Sequence, residues 1–281
     1  MLSLHNVVAS ERPTRVDGRA LVWFFVIACI PPWIGWSLLR FGVLPSDGAW
    51  QALYLTGWGA SAAGLIATYM EEGSHGVRRL LREGVRFSVP IRWWLFVAFV
   101  PLIASALTIL LYSGISSQVV SVEPSVLLRL LAPSMLITFF LGPFGEEFGW
   151  RGYLLPRLAR RFSVLPAVLV VGVIWATWHW PLLYQSFVAA PGRELGTTIV
   201  GVTLMSVLIG TVYLRTRSLL LAMLLHWYIN GVRDVSAAVF PGVQQASDLL
   251  LWCSLGANVL VTGLTIPSLL VAGRDGNLSA R

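Results

Sequence analysis

RWWLFVAFVPLIASALTILLY, residues 92–112, opens on Arg92 and then runs for twenty residues without an Asp, Glu, Lys, Arg or His. Wound as an α-helix at about 1.5 Å per residue, it reaches on the order of 30 Å, the thickness of the hydrocarbon core of a bilayer. Just before it, residues 71–92 hold five arginines: Arg78, Arg79, Arg82, Arg86 and Arg92. An apolar run beside a basic loop is the unit from which the rest of the chain is built.

Working outward, runs at 20–39, 49–70, 125–155, 163–183, 195–214, 218–240 and 249–271 bring the expected number of spans to eight. The expected fold is therefore an all-α, polytopic membrane helix bundle over 20–272, with an N-terminal tail at 1–19 and a C-terminal tail at 273–281. Composition agrees: of 281 residues 56% are hydrophobic and 12% charged, against roughly 45–50% and 25% in soluble domains. The run at 125–155 is too long for one span and holds Gly142-Pro143. Proline removes a backbone donor that lipid cannot replace, so a kink or break is expected there.

The net charge of +7 is carried by arginine, since all 20 basic residues are Arg. Sixteen of them fall in residues 1–19, 71–92, 151–161 and 215–217 and the C-terminal tail, which the positive-inside rule puts on the cytoplasmic side together with both termini. Arg40, Arg129, Arg193 and Arg233 remain for the other side. Charge arranged in this way reads as topology beside anionic lipid, and no nucleic-acid partner is expected. The two cysteines, Cys29 and Cys253, lie inside apolar runs and supply neither a disulfide framework nor a cysteine metal site. Val26-Ile27-Ala28-Cys29 resembles a lipoprotein cleavage box, but its apolar run continues to Leu39, longer than a signal peptide requires, so the first helix is expected to stay.

Ionisable groups within a membrane are costly, and each one is a functional candidate. Glu146, Glu147 and Arg151 stand in the fourth span, His179 in the fifth, and His226 in the seventh with Asn230 and, further along, Arg233 and Asp234. Glu147 and Arg151 share a helix face at i, i+4, an ion-pair spacing, while Glu146 points about 100° away. His226 and Asn230 share a face by the same spacing. A hairpin turning near residue 162 sets Glu146 opposite His179; counted from the arginines of the turns, Glu146 lies on the order of 16 Å deep and His226 on the order of 14 Å. A carboxylate, two imidazoles and an amide are thus expected at one level. Arg233 and Asp234 lie toward the outer surface and read as interface anchors, and Trp150, Trp178 and Trp227 as packing.

Gly145-Glu146-Glu147-Phe148-Gly149-Trp150-Arg151, Trp175-Ala176-Thr177-Trp178-His179 and His226-Trp227-Tyr228-Ile229-Asn230 resemble, in this order, the three motifs of the CAAX-protease and bacteriocin-processing (Abi) family. The likeness covers roughly residues 125–235, and Trp175 stands where that family usually has phenylalanine. The resemblance implies a glutamate-type intramembrane endopeptidase: Glu146 and His179 activate water, His226 and Asn230 stabilise the oxyanion, and Glu147 with Arg151 supports them. It also implies a peptide or membrane-protein substrate, prenylated or bacteriocin-like, met among membrane lipids in the cell membrane. The residue chemistry is compatible, because hydrolysis needs a base beside the water and donors aimed at the developing oxyanion.

Two readings of other classes compete. The same bundle could serve as a non-proteolytic scaffold or bacteriocin self-immunity protein, or as a proton-coupled transporter, although no inverted repeat with paired broken helices supports the last. No cofactor is expected. Zinc on Glu146, His179 and His226 is the minor alternative, and the chain lacks the His-Glu-x-x-His helix of zincin proteases.

Overall fold

The computed structural model describes residues 17–43, 57–117, 133–184, 195–239 and 247–274. They form an all-α membrane bundle: α1 (Gly18–Arg40), α2 (Gly59–Gly84), α3 (Ile91–Ser116), α4 (Pro133–Leu141), α5 (Pro143–Glu147), a π-helical turn (Phe148–Leu154), α6 (Leu155–Arg161), α7 (Val164–Trp178), a 3₁₀ turn (Trp180–Tyr184), α8 (Leu195–Thr216), α9 (Leu219–Val239) and α10 (Ser247–Arg274). Each expected span has a helical counterpart, but they differ in kind. Among the described residues four helices are long and apolar enough to cross a membrane, over Gly18–Leu39, Ile91–Ser116, Leu195–Thr216 and Asp248–Val271. Val164–Trp178 and Leu219–Gly231 are shorter apolar helices.

The fourth span is broken as expected. Gly142 leaves helical geometry (φ −93°, ψ −88°), and Pro143 starts a new helix at the position where its missing N–H costs nothing. A second departure was not legible: Phe148–Leu154 winds as a π-turn, closed by the Leu155 N–H on the Trp150 carbonyl. Pro156 has no N–H for the Gly152 carbonyl, so the regular α ladder is interrupted here in any case.

The second span is shifted. Expected at 49–70, it is seen as α2 from Gly59 to Gly84, with residues 44–56 outside the described part. α2 bends at Gly73, whose φ of +63° is a conformation L side chains rarely adopt. Beyond the bend it carries Arg78, Arg79 and Arg82 outward and Leu80 and Glu83 inward. The fifth span ends as an α-helix at Trp178, not at 183.

α2 packs backbone to backbone against the broken fourth span. A Cβ on Gly149 would stand 2.1 Å from the Ala60 carbonyl oxygen, one on Gly64 2.6 Å from that of Phe148, and one on Gly145 2.7 Å from that of Gly57. Ser61 Oγ donates to the Phe144 carbonyl at 2.8 Å. Without a hydrophobic force between helices in lipid, such close approach through small residues is what holds a pair together.

The arginine-bearing turns meet at one end of the bundle. Arg157 pairs with Glu71 and lies over the Tyr153 ring (3.6 Å), whose hydroxyl donates to the same carboxylate at 3.1 Å. Arg217 reaches Glu83 at 3.2 Å, Tyr213 OH donates to Glu83 at 2.7 Å, and Ser218 Oγ donates to the Arg86 carbonyl at 2.8 Å. Arg157 and Arg217, read from the sequence with the other loop arginines as topology-setting charge, also tie α2 to the neighbouring turns. Burial alone would push the Glu72 carboxyl up, but the hydrogen bond and charge of Arg79, with Arg157 and Arg160 nearby, hold it below the ordinary carboxylate range.

Candidate active site

α5, the π-turn, α7 and α9 converge on one buried cluster. Glu146 stands in the first turn of the helix that begins at Pro143, and Glu147 is its last residue. Both are buried, at 5% and 0% exposure. Their partners separate them, as the helix spacing requires.

Glu147 is held twice through a single oxygen. Arg151 Nη1 donates to Oε1 at 3.0 Å and His226 Nδ1 donates to the same atom at 2.7 Å. The Glu147–Arg151 pair is therefore formed, across the junction into the π-turn. A function for Glu147 not read from the sequence is also visible: it fixes the ring of His226. Arg151 Nε and Nη2 and Glu147 Oε2 find no hydrogen-bond partner among the described residues. The guanidinium instead lies over the Trp175 ring, 4.2 Å from its centroid, and the ring's negative face offsets part of the cost of burial.

Glu146 has a different environment. Its Oε2 accepts a hydrogen bond from the Trp175 indole. Its Oε1 and the Asn230 Nδ2 lie 3.7 and 3.8 Å from the point where a Gly142 Cβ would stand. Glycine at 142 thus leaves open the space that the carboxylate and the amide border. Asn230 is one turn beyond His226 on α9, as its spacing predicts.

His179 sits at the C-cap of α7 and is half-buried. Its Nδ1 lies 2.8 Å from the Trp175 carbonyl, which can only accept, so Nδ1 carries a proton. The hairpin joining Glu146 to His179 turns at Phe162-Ser163, where α6 ends and α7 begins, close to the arithmetic midpoint. The His179 ring is 5.8 Å and the His226 ring 5.0 Å from that of Trp175, centroid to centroid. Glu146, Arg151, His179 and His226 are all gathered around this one indole.

Two tryptophans of the motifs serve packing. Trp150 is fully buried and meets Phe24 and Trp178 edge-on, at 5.7 Å in each case. Trp178 donates its indole N–H to the Ala28 carbonyl of α1 at 2.7 Å, while Trp33 of α1 donates to the Trp178 carbonyl at 3.0 Å. Pro32 is the residue whose N–H would have bonded Ala28, so the proline exposes the carbonyl that Trp178 takes. Trp227 is half-buried against Phe139 at 6.0 Å. The side chains of Arg233 and Asp234 lie outside the described residues.

Sequence reasoning missed Trp175 and Gly142 as parts of the site. The signal for Trp175 was present, since a buried indole N–H in an apolar helix needs an acceptor. Among the described residues no three His, Cys, Asp or Glu side chains converge as ligands for one ion.

Comparison with known proteins bears on this cluster. The family model for type II CAAX prenyl endopeptidase Rce1-like proteins matches residues 128–232, a segment holding every candidate from Glu146 to Asn230. CAAX prenyl protease 2 of Methanococcus maripaludis is 30% identical over 110 residues, 37% of this chain and 41% of that protein. The chain thus spans about two fifths of the length of the curated relative it matches.

Proposed function

We propose that the chain, whose residues 128–232 match the family model of Rce1-like type II CAAX prenyl endopeptidases, is an intramembrane endopeptidase that hydrolyses a peptide bond near the cytoplasmic face, without a metal. The observation that carries this reading is the contrast between the two neighbouring glutamates. Glu147 is committed to Arg151 and His226, whereas Glu146 has one oxygen held by Trp175 and the other beside the Gly142 and Asn230 space.

In this mechanism a water lies between Glu146 and His179. Glu146 takes one of its protons as the water oxygen attacks the peptide carbonyl, and the negative charge moves to the carbonyl oxygen. Asn230 Nδ2 and His226 Nε2 donate to that oxygen; His226 can do so when both ring nitrogens are protonated, with Glu147 as its counter-ion. The proton held by Glu146 then passes to the leaving amine as the oxyanion re-forms the carbonyl and the carbon–nitrogen bond breaks, giving a carboxylic acid and an amine. The substrate is a peptide or a membrane protein, and prenylation, which the relative's name specifies, is one of the substrate features to be tried.

The test is cleavage of a fluorogenic peptide panel, prenylated and unprenylated, by protein reconstituted in lipid. Wild type should cleave with a strong chelator present, and Glu146→Gln should lose cleavage while keeping its helicity and unfolding temperature. Glutamine keeps the size and hydrogen bonds of glutamate but cannot take a proton. Chelator inhibition reversed by zinc would replace this mechanism with a metallopeptidase one.

A further inference from the structure

We propose that Trp175 is a positioning residue that assigns the two oxygens of Glu146 different tasks: the indole N–H holds Oε2, and Oε1 is left as the oxygen that takes the proton from water. The proposal rests on the peptidase reading given above.

A glutamate carboxylate turns broadly about its last torsion, so nothing intrinsic distinguishes its two oxygens. A fixed donor on one of them removes that freedom. The Trp175 indole is such a donor, being 1% exposed, with Arg151 against its face at 4.2 Å and His226 at its edge at 5.0 Å. Once Oε2 is engaged, Oε1 is directed to the Gly142 side, where Asn230 Nδ2 borders the same space. The oxyanion donor and the base oxygen then face a common substrate position.

The main chain of the same residue sets the second partner, because the Trp175 carbonyl accepts from His179 Nδ1 at 2.8 Å. One residue therefore orients Glu146 through its side chain and His179 through its backbone. Phenylalanine at 175 would keep an aromatic ring and the bond to His179 but has no N–H for Glu146.

Two replacements separate donor from ring in the full chain in lipid: Trp175→Phe, and Trp175→3-benzothienylalanine, whose sulfur replaces the N–H at nearly unchanged shape. Both should lower kcat about 10- to 100-fold, as misplacement of a reacting group does, with KM within about twofold of wild type. Retained kcat in the sulfur analogue overturns the proposal, as does a rise in KM alone. An activity-independent reading uses infrared spectra: the Glu146 carboxyl band, identified by its loss in Glu146→Gln, should shift in both Trp175 variants. An unmoved band overturns the positioning claim whatever the chain cleaves. A shifted band in a protein that cleaves no peptide sustains the positioning of Glu146 and sinks the peptidase reading instead.

Discussion

At the scale of single residues, the cluster depends on one carboxylate oxygen serving both a guanidinium and an imidazole. Glu147 Oε1 holds Arg151 and His226 with no exposure to solvent. Arg151→Ala should therefore destabilise the protein by about 3–5 kcal/mol, because the buried Glu147 carboxylate loses its guanidinium partner and keeps only the His226 imidazole. Replacing both charges, as Arg151→Met with Glu147→Gln, should recover much of that loss while still disturbing His226. Unfolding temperatures in detergent for the single and double variants check this, and a single variant as stable as wild type would show the pair to be dispensable. His226→Ala and Asn230→Ala should each lower kcat by about 10²-fold or more if they donate to the oxyanion. If they only join helices, the change appears in stability, at about 1 kcal/mol, and not in rate.

At the scale of elements, the site is held by contacts that carry no charge. The seam between α2 and the π-turn leaves no room for a methyl group, so Gly149→Ala should be among the most damaging small substitutions. Its Cβ would stand 2.1 Å from a backbone oxygen, which cannot move without shifting α2. Expression yield and thermal unfolding measure the effect; a normal yield would mean that the two helices stand further apart than described. The clasp between α1 and α7 is gentler. Trp178→Phe keeps the ring but frees the Ala28 carbonyl, which Pro32 has already deprived of its helical donor. A loss of about 1 kcal/mol is expected, and cleavage should fall with it, because His179 follows directly on the clasped residue. The clasp at the arginine-bearing end has a pH signature. Glu72 is held below its ordinary value of 4.5, so its contribution to stability is present above that value and fades as pH falls through the lowered one. Melting temperatures of wild type should thus drop more steeply below about pH 4.5 than those of Glu72→Gln.

At the scale of the whole molecule, the turns bearing Arg157, Arg217 and Arg86 meet at the α2 end that carries Glu71, Glu72 and Glu83. The expected cytoplasmic loops are therefore physically one surface. Reporter fusions should put residue 85 and both termini on the cytoplasmic side; a periplasmic or luminal signal at 85 would invert the topology. The sequence by itself determined that this is an all-α membrane protein, because apolar length and arginine placement are one-dimensional quantities that the bilayer reads directly. It also determined the Pro143 break and the Glu147–Arg151 pair, since both follow from local helix geometry. Only the tertiary structure decided that Glu147 also holds His226, that Trp175 binds Glu146, that α1 clasps the end of α7, and that Arg157 and Arg217 are paired with the acids of α2. These partners lie 79, 29, 150, 86 and 134 residues apart in the chain. Pairing at such distances is set by how helices pack, and in lipid that packing follows from close backbone approach and buried polar partners, which no periodicity within a single helix encodes.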